Sequence, residues 1–473
     1  MGSHFHGPLR KHPTNPRYFT DDRGDAIYLT GSHTWAVIQE TTFEGQPDFP
    51  FNDFIEMVSD NGHNFVRLWV WEQTERASWT DERVLFHPLP WERTGPGLAV
   101  DGLPKFDLET WNESYFQRLR DRCVAFGQAG IYVSVMLFQG WSLPKKDRGG
   151  PSDPFPFHPF NAANNINGVG PAFDGRDDDT APSLHSLHNQ GVLDLQEKWI
   201  RKVIDTVNDL DHVLYEVINE GGSLEWQYHV VDYVKDYEAT KPAQHPIGIT
   251  HRIDPAHNNI ALFDSAADWV SPAVEPRYAE DLHAQPVYDY RNDPPVADGT
   301  RVSIVDTDHI WGHGGNPYWV WKCFMRGHNP IFMDPWWPLY VNSQPDVTSW
   351  AFVDQISKDD RAFPDWEPTR QAMGHTLRYA KQVALARMLP RPDLASSRYC
   401  LADAGLEYLI YIPEGGSVTI DMGGSDEPFS SEWFIPRTGQ VYPGGVLTPL
   451  EGYIVTTVPV TGDAVLYLHS NRE

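Results

Sequence analysis

The chain has 473 residues, too many for one compact domain of the ordinary ~100–200 residues unless that domain is a large barrel. With 37 Lys and Arg against 65 Asp and Glu, its formal charge of −28 repels phosphate backbones and anionic lipid, which excludes nucleic acid and membrane surfaces as partners. No apolar run reaches the ~18 residues of a membrane span, and Cys123, Cys323 and Cys400 lie far apart without CxxC spacing, so neither a zinc knuckle nor a disulfide framework is expected.

The N-terminus, MGSHFHGPLRKHPTNPRYF, is polar and punctuated by proline, without an apolar signal core; that fits a cytosolic protein, or a secreted one whose signal is not part of this sequence. Beyond it come eight short runs rich in β-branched and aromatic residues, each ending in polar or aromatic groups: 27–33, 64–72, 131–139, 212–220, 245–251, 269–275, 301–309 and 329–335. Helical periodicity fills the gaps. Residues 114–130 place Phe116, Leu119, Cys123 and Phe126 on one face, and 193–210 do the same with Leu195, Trp199, Val203 and Val207. Alternating strand and helix implies a parallel sheet, and eight such units predict a (β/α)8 TIM barrel, an α/β fold enlarged here by insertions.

Two insertions, 73–110 after strand two and 140–190 after strand three, fall on the strand-to-helix side, where such barrels carry their sites. The second is rich in Pro, Gly, Asn and Asp and reads as an irregular binding wall. After an amphipathic helix at 367–389 the pattern changes to short alternating runs broken by Gly, Pro, Asp and Ser. The expected organisation is therefore a barrel at 1–390 and a small all-β sandwich at 391–473, which is expected to brace the barrel because its surface aromatics are few.

Polar groups at the C-terminal ends of barrel strands are where chemistry is expected, and carboxylates dominate them. An apolar strand runs directly into Asn219 and Glu220, and strand seven runs into Asp306 and Asp308, which period-two alternation puts on one side of the strand. Two opposed carboxylates suit glycosidic cleavage: one protonates the leaving oxygen, and the other attacks the anomeric carbon or activates water. The former must hold its proton near neutral pH, and a neighbouring carboxylate pushes it in that direction.

The strand-four ending LYEVINE, the Arg in NFVRLW and the acidic close of strand seven resemble clan A, the large clan of retaining (β/α)8 glycoside hydrolases, over roughly residues 15–390. The tail resembles the collagen-binding-type β-sandwich that accompanies apiosidase-like glycosidases. The resemblance implies a carbohydrate substrate, no cofactor, Glu220 as acid/base, Asn219 as ligand of a sugar 2-hydroxyl, and a strand-seven carboxylate as nucleophile. Asp308 is preferred for that role, with Asp306 and Glu275 as rivals. Arg67 would hold the nucleophile ionised, Tyr278 would hydrogen-bond it, and Trp336 or Trp337 would form the floor under the sugar. His33, His251 and Trp141 complete the expected substrate-binding set. The clan uses Glu on strand seven where this chain has Asp, one methylene shorter, which leaves the anomeric outcome open.

The aromatic content, 18 Trp, 20 Tyr and 23 Phe, fits sugar stacking, and the rings after strands two, three and eight are the expected platform. Two other readings stand beside the hydrolase. One is a barrel that binds carbohydrate without catalysis. The other is a metal-dependent hydrolase using His33, His251 and His309, against which the first reading expects no metal.

Overall fold

In the computed structural model, which describes residues 5–43, 47–78, 80–140, 150–170, 184–250, 259–273, 290–310, 315–334, 336 and 366–470, the eight apolar runs pair in parallel. The barrel strands are β1 (Gly31–His33), β2 (Phe65–Leu68), β3 (Tyr132–Gln139), β4 (Val213–Asn219), β5 (Ile247–Thr250), β6 (Trp269–Ser271), β7 (Val302–Asp306) and β8 (Asn329–Met333). From β2 to β8 each pairs with the next, and β8 pairs back onto β1, so the strand ladder is continuous except between β1 and β2. Every residue of the eight is buried, which explains runs of continuous rather than alternating hydrophobicity.

The ring closes between β1 and β2 through Asn64. Its N–H donates to the Thr30 carbonyl at 3.1 Å, and its Oδ1 accepts from the Thr30 N–H at 3.0 Å. This approach leaves no room for a side chain, because a Cβ at Gly31 would stand 2.2 Å from the Phe65 carbonyl oxygen. Gly31→Ala is therefore expected to destabilise the barrel by about 1–3 kcal/mol, read as a fall in the denaturant midpoint, and an unchanged midpoint would contradict the packing described.

Seven helices flank the strands among the described residues: α1 (Phe51–Asp60), α2 (Glu113–Gln128), α3 (Gln190–Val207), α4 (Leu224–Glu238), α5 (Asn259–Phe263), α6 (Pro317–Met325) and α7 (Glu367–Gln382). The apolar faces expected of α2 and α3 are the buried ones. Side chains of Asn112, Asn189, Ser223 and Asn316 cap α2, α3, α4 and α6 by accepting from first-turn N–H groups. At the N-terminal ends of the strands, Phe5, Leu9 and Phe19 pack against Phe65, Tyr132, Leu214 and Trp269 and seal the barrel floor.

Three expectations are corrected. Strand two ends at Leu68, so residues 69–72 run on as irregular chain. Strand seven ends at Asp306, and Thr307–His309 form a 3₁₀ turn. The insertion after β2 holds two antiparallel units: Thr80–His87 pairs with Glu40–Phe43 on one side and Glu75–Ala77 on the other, while Trp91–Leu98 and Pro104–Trp111 form a second ribbon. The helix expected at 367–389 stops at Gln382, and Leu389–Pro390 already pairs with Cys400–Asp403.

From there on the chain is antiparallel. A six-stranded sheet faces a two-stranded one formed by Ser417–Asp421 and Tyr453–Thr457, around a core that includes Ile410, Val418, Ile420, Trp433 and Leu466. The other face of the large sheet packs on α6 and α7. Tyr411, Phe434, Val465 and Tyr467 join Trp321, Leu377 and Tyr379 in one continuous cluster, with the rings of Trp321 and Tyr411 stacked at 5.9 Å. The sandwich thus braces the barrel as the sequence suggests.

Candidate active site

Arg67 projects from β2 into the upper barrel, 1% exposed, and must find partners for all of its donors. Its Nε and Nη2 donate to Glu216 at 2.9 and 2.5 Å, Nη2 also donates to Asn219 Oδ1 at 2.8 Å, and Nη1 donates to Asp306 at 2.5 Å. Asp308 Oδ2 lies 3.6 Å from Nη1. One guanidinium thus binds the ends of β4 and β7 together. Burial lowers the proton affinity of Arg67, and Glu216 and Asp306 more than restore it, so the group stays charged.

Asp306 is fully buried and has both oxygens occupied. Oδ1 accepts from His33 Nε2 at 3.0 Å and from the Asp308 N–H at 2.9 Å, the latter capping the 3₁₀ turn; Oδ2 takes Arg67. Burial pushes its carboxyl up, but the interactions with His33 and the Arg67 guanidinium outweigh that and hold it below the usual carboxylate range. The strand alternation expected to align Asp306 with Asp308 does not exist, because the strand has ended; the turn instead swings Asp308 over the same guanidinium. Asp308 has a side chain 10% exposed, against 0% for Asp306.

Asn219 Oδ1 accepts from Arg67 and lies 3.3 Å from His309 Nε2, while His309 Nδ1 lies 2.9 Å from the Ser271 hydroxyl. This pattern makes the imidazole a donor at Nε2 and orients the Asn219 amide with its oxygen toward the arginine. Glu220 follows directly, buried, with a left-handed φ of 50°, a conformation a non-glycine residue adopts only when its surroundings impose it. The imposition is visible next door: the Gly140 N–H donates to the Asn219 carbonyl at 2.9 Å, and a Cβ on Gly221 would lie 2.5 Å from the Gly140 Cα. Gly221→Ala must therefore shift Glu220. The clash is with backbone, so the substitution should lower the melting temperature as Gly31→Ala does, and, on the glycosidase reading proposed below, should lower kcat as well, about 1 Å of misplacement costing on the order of 10²-fold.

Ligand atoms of Glu220, Asp308 and His309 lie within 4.8 Å of one another, close enough for a cation. Both ring nitrogens of His309 already have protein partners, Ser271 at Nδ1 and Asn219 at Nε2.

Of the other expected residues, His33 is buried against Asp306 with its ring parallel to Trp69 at 6.2 Å. Trp336 packs on Phe49 and Phe54, at 6.2 and 5.6 Å between ring centres. Trp69 and Trp71, within the strand-two run, are 1% and 0% exposed and interlock with Trp35, so they belong to the core. Trp141, His251, Glu275, Tyr278 and Trp337 lie outside the described residues.

Sequence reasoning missed Glu216, although a lone charge inside the apolar run LYEVI is the signal of a buried ion pair. It also missed a clamp beside the site. Glu72 lies 3.1 Å from His185 Nε2 and 3.5 Å from His158 Nε2, and the His185 carbonyl accepts from the Ser223 N–H at 2.8 Å, three residues past Glu220. Burial raises the Glu72 carboxyl, but the two histidines bring it down to about 2. A depressed carboxylate stabilises the fold above its unfolded pKa, near 4.5, and that contribution is lost as pH falls toward 2. Glu72→Gln should therefore lower stability at pH 7 and flatten its decline between pH 4.5 and 2, as read by denaturant titration across that range.

No curated protein sequence matches the chain. Residues 71–267 match DUF6298, a domain of unknown function. Among solved structures, a protein titled glycoside hydrolase superposes with a TM-score of 0.58 at 11% identity, over 99% of this chain and 98% of that one. A glycoside hydrolase family 5 protein from Bacteroides vulgatus gives 0.60 at 11% identity, over 99% and 94%. The fold of this chain, barrel and trailing β-sheets together, is the one these glycoside hydrolases share.

Proposed function

We propose that the protein is a retaining glycosidase with Glu220 as general acid/base and Asp308 as nucleophile. The observation that carries this reading is the approach of their carboxyl oxygens to within 4.8 Å. One oxygen of each carboxyl lies within that reach of the other, an approach that suits the short carboxyl spacing of retaining enzymes, ~5–5.5 Å, better than the wider gap of inverting ones. The fold is consistent with it.

Glu220 gives its proton to the glycosidic oxygen as the Asp308 carboxylate bonds to the anomeric carbon and the alcohol departs. Glu220, now a carboxylate, takes a proton from water, whose oxygen displaces Asp308. Asp308 suits attack better than Asp306, whose oxygens are both committed to His33, Arg67 and the turn. Asp306 acts as a positioning group. The Asn219 amide nitrogen faces away from Arg67 and can donate to a sugar hydroxyl.

The test begins with a screen of aryl glycosides and of plant and microbial polysaccharides. A 2-fluoro aryl glycoside of the sugar so identified should then label a peptide at Asp308, and Asp308→Asn should abolish labelling. Label on another residue, or a product of inverted configuration, rejects the assignment. The metal-dependent reading draws on the same cluster and predicts loss of activity with chelator, whereas the two-carboxylate reading predicts none.

A further inference from the structure

The insertion after β2 holds a feature that the cleavage site does not use. A cavity of about 450 Å³ opens between its two β-ribbons, within the size range of small-molecule sites. Leu85, Leu89 and Leu103 supply its apolar lining, and the rings of Phe86, Trp91 and Phe106 lie buried in the wall behind them. The indole N–H of Trp91 is buried without an acceptor among the described residues. Two ion pairs stand in the wall: Arg83 donates to Glu75 at 2.9 Å through Nε, and Arg93 donates to Asp101 while its guanidinium covers the Phe106 ring at 3.9 Å.

These features select the ligand. Both arginines are already paired, and Glu92 at the rim adds a third carboxylate, so the wall carries no surplus positive charge for a phosphate, sulfate or uronate. What it offers is an apolar, leucine-lined surface bordered by fixed guanidinium and carboxylate groups, and such groups donate to and accept from hydroxyls at the same time. A sugar ring presents one apolar face and a girdle of hydroxyls, which matches both parts.

The cavity also lies close to the cleavage site along the chain's contacts. Thr74 in its wall donates through its N–H to the Phe157 carbonyl at 3.1 Å; Glu72, two residues earlier, holds His185, which holds Ser223 beside Glu220.

We propose that this cavity is a non-catalytic binding site for a neutral saccharide, gripping a polysaccharide chain to one side of the cleavage site. The proposal shares with the glycosidase reading the class of ligand but none of the catalytic residues. The experiment is affinity electrophoresis of the Glu220→Gln protein in gels containing soluble xylan, glucomannan, mixed-linkage β-glucan or starch, with polygalacturonate as the anionic control. At least one neutral polymer should retard the protein and polygalacturonate should not. Leu85→Trp, which fills the cavity, and Leu103→Glu, at a rim position 52% exposed and so tolerant of change, should each weaken retardation about tenfold.

Aryl-glycoside turnover measured with Glu220 intact should be unaffected by either cavity substitution, which separates the two readings. Retardation without turnover in the wild type leaves this site standing and removes the glycosidase. Turnover with no neutral polymer retarded, retardation by polygalacturonate alone, or cavity variants that bind like the parent would overturn the proposal.

Discussion

Replacing Glu220 by glutamine is expected to lower kcat on an aryl glycoside by 10²–10⁴-fold, the usual worth of a positioned general acid/base, with little change in thermal stability. The amide keeps the shape of the side chain that the left-handed backbone at Glu220 presents, but it has no acidic proton to give and no charge to take one. The loss should therefore appear in kcat with KM nearly unchanged. Glu220→Ala supplies the complementary measurement: azide, which needs no base, should restore turnover and yield a glycosyl azide of retained configuration. Turnover undiminished in Glu220→Gln would remove Glu220 from the chemistry.

The second large effect is on stability. Arg67→Met takes away the cation shared by Glu216, Asp306 and Asn219, all buried, and leaves two carboxylates in the barrel without their partner. Breaking a buried pair in this way costs about 3–5 kcal/mol, to be read from the urea midpoint at pH 7. Arg67→Lys should recover little of it, since an ammonium cannot span the forked contacts that the guanidinium makes to two strands at once.

The pH dependence follows with a defined sign. Asp306 is held below the usual carboxylate range in the native barrel, so it stabilises the fold above its unfolded pKa of ~3.9 and that stability is lost as pH falls through the native value. Without Arg67 the native value rises toward the unfolded one, and the acid-unfolding midpoint should move to higher pH. An Arg67→Met protein as stable as the parent would mean that the carboxylates find other partners, and that the arginine does not join β4 to β7.

Much of the barrel is written in local sequence because its causes are local. Strands buried on both faces must be apolar throughout, as 131–139 and 212–220 are, and helices with one buried face must repeat at 3.6 residues, as Phe116, Leu119, Cys123 and Phe126 do. The adjacency of Asn219 and Glu220 at a strand end needs only the chain itself, so this part of the site could be read before any fold was known. The sandwich's short runs and turns were equally plain, and its bracing role followed from the scarcity of surface rings.

What only the tertiary structure decided are relations between segments distant in sequence. Arg67, Glu216 and Asp306 meet because burial forbids any of them to stand alone, and no spacing in the chain announces the meeting. The stop of β7 at Asp306 goes with its side chain capping the Asp308 N–H, which ends the alternation that would have set Asp306 and Asp308 alike on one side. Trp69 and Trp71 carry the composition of a sugar platform, yet they lie in the core because Trp35 arrives from another loop to cover them. The sequence by itself determined the barrel; how Asp306 and Asp308, two residues apart, divide their contacts was decided by hydrogen bonds across the barrel mouth, since geometry at that scale depends on which partners packing brings within reach.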